Sequence, residues 1–208
     1  VTRIEAVSFS CQSGRKKIWH TIVRGGKSLT KEENDTMAKK RTNALQRLLR
    51  FMPENKQATL MLRLFGFTKI PLLLYVRPSV VEISEKKVVV KIPLRRRTKN
   101  HLRAMYFGAL AIGADCSGGL MAMRRIEESS HNIALVFKTL TAEFLKRAEG
   151  DVYFTCEEGD AITDLVNEAA QSAERVESPI HVIATVPGKL GDEPVAKFTL
   201  ILSLKNRS

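Results

Sequence analysis

Twenty residues in the middle of the chain, Ala104–Met123, contain one acid, Asp115, and no lysine or arginine. The others are small or apolar, four of them glycines (Gly108, Gly113, Gly118, Gly119), with Arg103 before the stretch and Arg124-Arg125 after it. An ionised carboxylate is costly to bury, so a fold must give Asp115 a partner, a route to water or a task. The stretch is long enough to cross a bilayer, but a mid-span charge and four glycines argue against that. Ala104, Gly108, Ala111, Asp115, Gly118 and Ala122 recur at three- and four-residue spacing as a stripe of small side chains. Met105, Leu110, Ile112 and Met121 lie opposite. The pattern predicts a helix over about residues 101–126, apolar nearly all round and hence enclosed. Its glycines make it weak alone, so the rest of the chain has to hold it.

The flanking segments supply the wrapping. Val80–Ser84 and Lys87–Leu94 read as a β-hairpin turning at Glu85-Lys86. After the helix come strand patterns at Ile133–Leu145, Asp151–Glu157, Glu174–Val186 and Val195–Leu204. A short helix, Ala161–Ala173, interrupts them, with Asp160 as its cap and Ile162, Leu165, Val166 and Ala169 on one face. An antiparallel sheet curled around one helix is the simplest way to bury that helix.

Upstream, residues 1–29 show no sustained periodicity and read as loop, disorder or leader. Thr30-Lys-Glu-Glu33 matches a capping box and opens a helical pattern that Pro53 ends. Glu54–Phe67 reads as a second helix. Ile70–Val76, between Pro71 and Pro78, reads as an extended connection or edge strand. The expected division is a leader (1–29), a helical extension (30–78) and one α+β domain (79–208). The basic, amphipathic helices of the extension are expected to pack on that domain; a membrane surface is the other place for them.

Charge follows the same division. Residues 1–58 carry 13 Lys/Arg against 5 Asp/Glu, more than half of the net +12. Residues 59–208 carry 21 against 17, an ordinary balance that weighs against a folded nucleic-acid reader and makes the N-terminal segment the candidate arm for nucleic acid or anionic membrane. Cys11, Cys116 and Cys156 are odd in number and widely spaced, so neither a disulfide framework nor a zinc site is indicated. The free thiols suit a reducing compartment. We expect a cytoplasmic protein, or a mitochondrial one given the basic, acid-poor start.

The order of elements resembles the hotdog fold, an antiparallel sheet around a central helix. Many hotdog acyl-CoA thioesterases carry Asn, five residues, His-Gly-Gly, six residues, Asp. Here Asn100, five residues, Tyr106-Phe107-Gly108, six residues, Asp115 keep that spacing. The wording around Arg97-Thr-Lys-Asn100 and Met105-Tyr-Phe-Gly-Ala-Leu110 is similar to a hotdog branch of unknown function. The resemblance implies that Asp115 is the general base or nucleophile, Asn100 orients water or thioester, and the amide of Phe107 or Gly108 polarises the carbonyl. It implies that Arg95, Arg96, Arg97 and Lys99 meet the phosphates of coenzyme A; Tyr106, which departs from the motif, either donates a hydrogen bond to the substrate or packs. It further implies a homodimer or dimer of dimers, with no metal or redox cofactor and coenzyme A as part of the substrate.

Plainer readings accompany these. Asn100 is a natural helix cap. Asp115 would serve as a structural acid paired with arginine, the basic run as a solvated strand end, and Cys116 as a core thiol. Two functions are therefore expected: hydrolysis of acyl-CoA, or non-catalytic binding of acyl-CoA or lipid, with Tyr106 and Phe107 in place of His-Gly.

Overall fold

The computed structural model describes residues 2–5 and 52–207. The helical pattern over residues 30–52 lies almost wholly outside them. Strands β2 (Ser79–Ile83) and β3 (Val88–Ile92) form the expected hairpin, closed by a bond from Ser84 N–H to the Lys87 carbonyl. Helix α3 (Phe107–Ser129) follows, then β4 (Ile133–Phe144) and β5 (Val152–Cys156). Helix α4 (Gly159–Gln171), β6 (Val176–Thr185), the single turn α5 (Pro187–Leu190) and β7 (Pro194–Asn206) complete the chain. Strands β2–β7 form an antiparallel sheet in the order β4-β7-β6-β5-β3-β2. A short N-terminal strand, β1 (Thr2–Glu5), adds to β4 opposite residues 139–142, where a loop was expected.

The alternation seen in the sequence puts Val152, Phe154 and Cys156 of β5 on one face of the sheet. Ile180, Val182 and Ala184 of β6 and Phe198, Leu200, Leu202 and Leu204 of β7 share that face, all buried. Helix α3 lies across it, touching β3, β5 and β6, with α4 beside it. The four apolar residues of α4 expected on one face are all buried there. Each large one removed from water contributes about 1.5–3 kcal/mol. Asp160 is not the cap of α4; Glu158 holds that place, and Asp160 sits in the first turn, paired with Lys86 at 3.3 Å.

Three expectations about the helices change. Ile70–Val76 is not extended: Pro71 opens a short helix, α2 (Pro71–Val76), because a proline costs nothing at a first helical position. The preceding helix, α1 (Glu54–Thr68), runs as expected and packs on β2. Finally, α3 begins six residues later than predicted and is not enclosed all round. The sheet and α4 bury Ala109, Gly113, Ala114, Ser117, Gly118, Met121 and Ala122, whereas Gly108, Ala111, Ile112, Asp115 and Gly119 stay half-buried along the other side.

Gly113 sets how deeply α3 sits. A Cβ there would lie 2.2 Å from the buried Phe154 ring. Alanine would gain about 1 kcal/mol in helix propensity but overpack at a cost of about 1–3 kcal/mol. Because the fully buried ring has nowhere to move, overpacking wins. Gly113→Ala is expected to lower stability by up to about 2 kcal/mol in chemical denaturation; a more stable variant would contradict this seating of the helix.

Candidate functional site

The late start of α3 follows from where the preceding amides go. Asn100 Oδ1 accepts hydrogen bonds from the N–H groups of Leu102 (2.9 Å) and Ala104 (3.1 Å). Met105 N–H donates to the Ala148 carbonyl and Tyr106 N–H to the Thr98 carbonyl, each at 2.8 Å. A helix from residue 101 capped by Asn100 would keep the first of these bonds but would have to give up the other three. Arg103, at φ 63°, completes the tight loop. Asn100 therefore shapes the loop and does not cap α3; the N-cap is Tyr106. The Asn100 side-chain NH2 makes no hydrogen bond to the described residues.

The first bonds of α3 run from Ala109 and Leu110 N–H back to the Tyr106 carbonyl. The amides of Phe107 and Gly108 precede them and point out of the helix end, where the macrodipole favours negative charge. Tyr106 and Phe107 are each 48% exposed, with ring centroids 4.6 Å apart. The Tyr106 ring folds over Gly108, where a Cβ would come within 2.7 Å of it. Asn100, Tyr106, Phe107 and Gly108 thus share one end of the helix. Asp115 does not: eight residues of helical rise put it about 12 Å further along the axis.

The Asp115 carboxylate meets no donor and no counter-charge among the described residues. Burial alone pushes its pKa up to about 6. The pairing with arginine is absent, because the nearest arginines in sequence are engaged elsewhere. Arg124 pairs with Glu54 (2.6 Å) and Glu128 (3.0 Å), and Arg125 with Glu128 (2.5 Å) and the Glu85 carbonyl. Cys116 is buried towards the core, and desolvation raises its pKa well above the ordinary thiol range, as for an inert core thiol.

The basic run 95–99 forms a loop beside the helix start, held by Thr98. That buried hydroxyl donates to the Pro93 carbonyl and accepts from Arg95 N–H, each at 2.8 Å. Asp151 anchors the root, accepting from Leu94 N–H (2.8 Å) and pairing with Lys91 (2.7 Å). Arg95, Arg96, Arg97 and Lys99 are exposed. Arg97 is engaged with Tyr75, donating to its carbonyl at 3.1 Å and stacking 5.2 Å from its ring. Sequence reasoning passed over Thr98 and Asp151; the one signal was a single neutral residue, Thr98, interrupting a run of bases.

Residues 58–193, well over half of the chain, match the family described as Domain of unknown function (DUF4442). The chain belongs to this family. No curated protein matches it. Among solved structures, it is similar to a candidate thioesterase from Shewanella oneidensis (16% identity, TM-score 0.61, covering 72% of this chain and 98% of that one). A Pseudomonas aeruginosa protein of unknown function, also named as a candidate thioesterase, aligns at 22% identity and TM-score 0.59 over 72% and 96% of the two chains. A thioesterase from Haemophilus influenzae aligns at 11% identity and TM-score 0.52 over 70% and 88%. These likenesses show that the chain shares its fold, the hotdog fold, with these proteins. No helix of the described residues is long and apolar enough to cross a membrane.

The raised pKa of Asp115 has a consequence for stability. A carboxyl whose pKa is higher in the folded state than unfolded favours folding when protonated; that advantage is complete below about pH 4 and is lost as pH rises through about 6. Asp115→Asn removes the penalty of the buried charge. It is expected to raise stability at pH 7 by about 2 kcal/mol and to flatten the dependence of stability on pH between 4 and 6. Parallel denaturation series at the two ends of that window check it.

Proposed function

We propose that the protein is an acyl-thioester hydrolase acting on acyl-coenzyme A as a homodimer. The observation that carries this reading is Asp115, a half-buried carboxylate without a partner and with a pKa of about 6. Such a group is ionised at neutral pH, yet basic enough to accept a proton from water. Water attacks the thioester carbonyl carbon while Asp115 takes its proton. The resulting oxyanion accepts from the amide of Phe107 or Gly108 at the positive end of α3. As the intermediate collapses, the C–S bond breaks and the proton on Asp115 passes to the departing thiolate. Carboxylic acid and free thiol are the products.

The distance along α3 calls for two chains. Base and oxyanion donors must both reach one carbon at about 3–3.5 Å, whereas about 12 Å of helix separates Asp115 from Phe107. Asp115 of one subunit facing the helix start of the other satisfies both requirements. The Asn100 NH2 group would orient the thioester, and Tyr106 would line its path. Arg95, Arg96 and Lys99 would meet the phosphates, with Arg97 fixing the loop through Tyr75.

A second reading rests on the Tyr106–Phe107 ring pair, which stands where the resembling thioesterases carry His-Gly. Two half-exposed rings suit an acyl or lipid ligand bound without hydrolysis.

Thiol release measured across a panel of acyl-CoA substrates, with affinity determined on the same sample, tests both. Hydrolysis is expected to rise with pH through about 6, and Asp115→Asn is expected to lower kcat by about a thousandfold. Full activity in that variant would sink the mechanism, and tight binding without release would favour the second reading. Arg95→Ala/Arg96→Ala should raise KM for acyl-CoA about tenfold while leaving a phosphate-free pantetheine thioester unaffected. An equal effect on both substrates would remove the phosphate role.

A further inference from the structure

We propose that the α1–α2 helical hairpin docks on the surface of an anionic lipid bilayer. The inner side of the hairpin is accounted for: Ala58 and Gly66 of α1 and Leu73 and Val76 of α2 are buried, and Leu62 and Phe65 pack on the core. Its outer side is not uniformly polar, as a solvent-facing helix would be, but mixes bases with large apolar side chains. Leu60, Met61, Phe67, Leu72, Leu74 and Tyr75 are exposed, Phe67 at 64% and Leu72 at 54%. Both helices bear these side chains on one tight unit, joined by Lys69-Ile70 and pressed together where Gly66 meets Leu73 and Leu74. A Cβ at Gly66 would lie 3.1 Å from Leu73 Cβ and from the Leu74 backbone nitrogen.

The charge around these side chains decides the occupant. From residue 55 to residue 81 there is no aspartate or glutamate and there are four bases, Lys56, Arg63, Lys69 and Arg77, all exposed. Lys56, Leu60, Arg63 and Phe67 follow one another at four-, three- and four-residue spacing, so bases and apolar side chains share one stripe of α1. Arg97 adds a further cation over Tyr75. A second copy of this face would bring like charges together. An anionic headgroup layer accepts the cations, while Phe67 and Leu72 enter the acyl boundary beneath it and the long basic stems reach back to the phosphates. This inference does not depend on the hydrolysis reading, since docking requires nothing of Asp115.

Flotation of the full chain with phosphatidylcholine vesicles, with and without phosphatidylglycerol, tests the proposal. Binding is expected on the mixed vesicles and to be weak on phosphatidylcholine alone. Phe67→Ser/Leu72→Ser should weaken it about tenfold or more, and Arg63→Gln/Lys69→Gln about fivefold or more. Both variants should keep the unfolding midpoint and oligomeric state of the parent, because the altered side chains are exposed. Failure of the parent chain to float would overturn the proposal. So would binding that survives Phe67→Ser/Leu72→Ser, since the basic segment before residue 54 would then be responsible. Loss of self-association in that variant, in place of vesicle binding, would make the occupant a second copy and would overturn it as well.

Discussion

Everything about the candidate site depends on how closely α3 lies against the sheet. Gly113 against the Phe154 ring, and Gly118 against Ile180, let the helix axis approach nearer than any larger residue would permit. That depth points the small side chains at the sheet and leaves a shallow, half-open strip along the opposite side, where Asp115 stands. With bulkier residues at 113 and 118 the helix would ride higher, and the depth of the strip and the solvation of the carboxylate would change with it. The helix is poor in intrinsic propensity for the same reason that it packs well. Its stability is tertiary.

Much of this was legible from periodicity. The strands from β4 onward, the apolar face of α4 and the hairpin turn at Glu85-Lys86 lie where alternation and turn chemistry put them, because each local preference agrees with the fold around it. The misreadings have physical causes. Asn100 looks like a helix cap, but the same short side chain also closes an Asx-type loop, and only the destinations of the Ala104, Met105 and Tyr106 amides distinguish the two uses. Pro71 opens a helix as readily as it borders a strand. The stripe of small residues was visible, but the face of α3 that meets the sheet was not: small residues occupy both sides of this helix, so size alone does not identify the seam.

Asp115 combines burial with the lack of any counter-charge among the described residues. Glu54, Glu128, Asp151, Asp160 and Glu177 all have basic partners within 3.3 Å. These pairs are partly to largely exposed and stabilise little; those of Arg124 and Arg125 use up the cations of α3. Arg124 and Arg125, about one and a half turns beyond the strip, are tied to Glu54, Glu128 and the β2–β3 turn. The carboxylate is left alone because its potential neutralisers are engaged elsewhere.

Helix α1 has one more effect, through the edge of the sheet. Thr59 accepts from Val80 N–H at 2.8 Å, and Asn55 donates to the Val81 carbonyl at 3.0 Å, beside the register shift between Val80 and Glu82. Polar groups of β2 that would otherwise recruit another strand are thereby satisfied from within the chain. At the far margin, β1 spans only residues 139–142 of the longer β4, and residues 133–138 have no outer neighbour among the described residues. Among the described residues, the sheet is thus stoppered at one margin and open over residues 133–138 at the other, which gives any lateral pairing of these strands a direction.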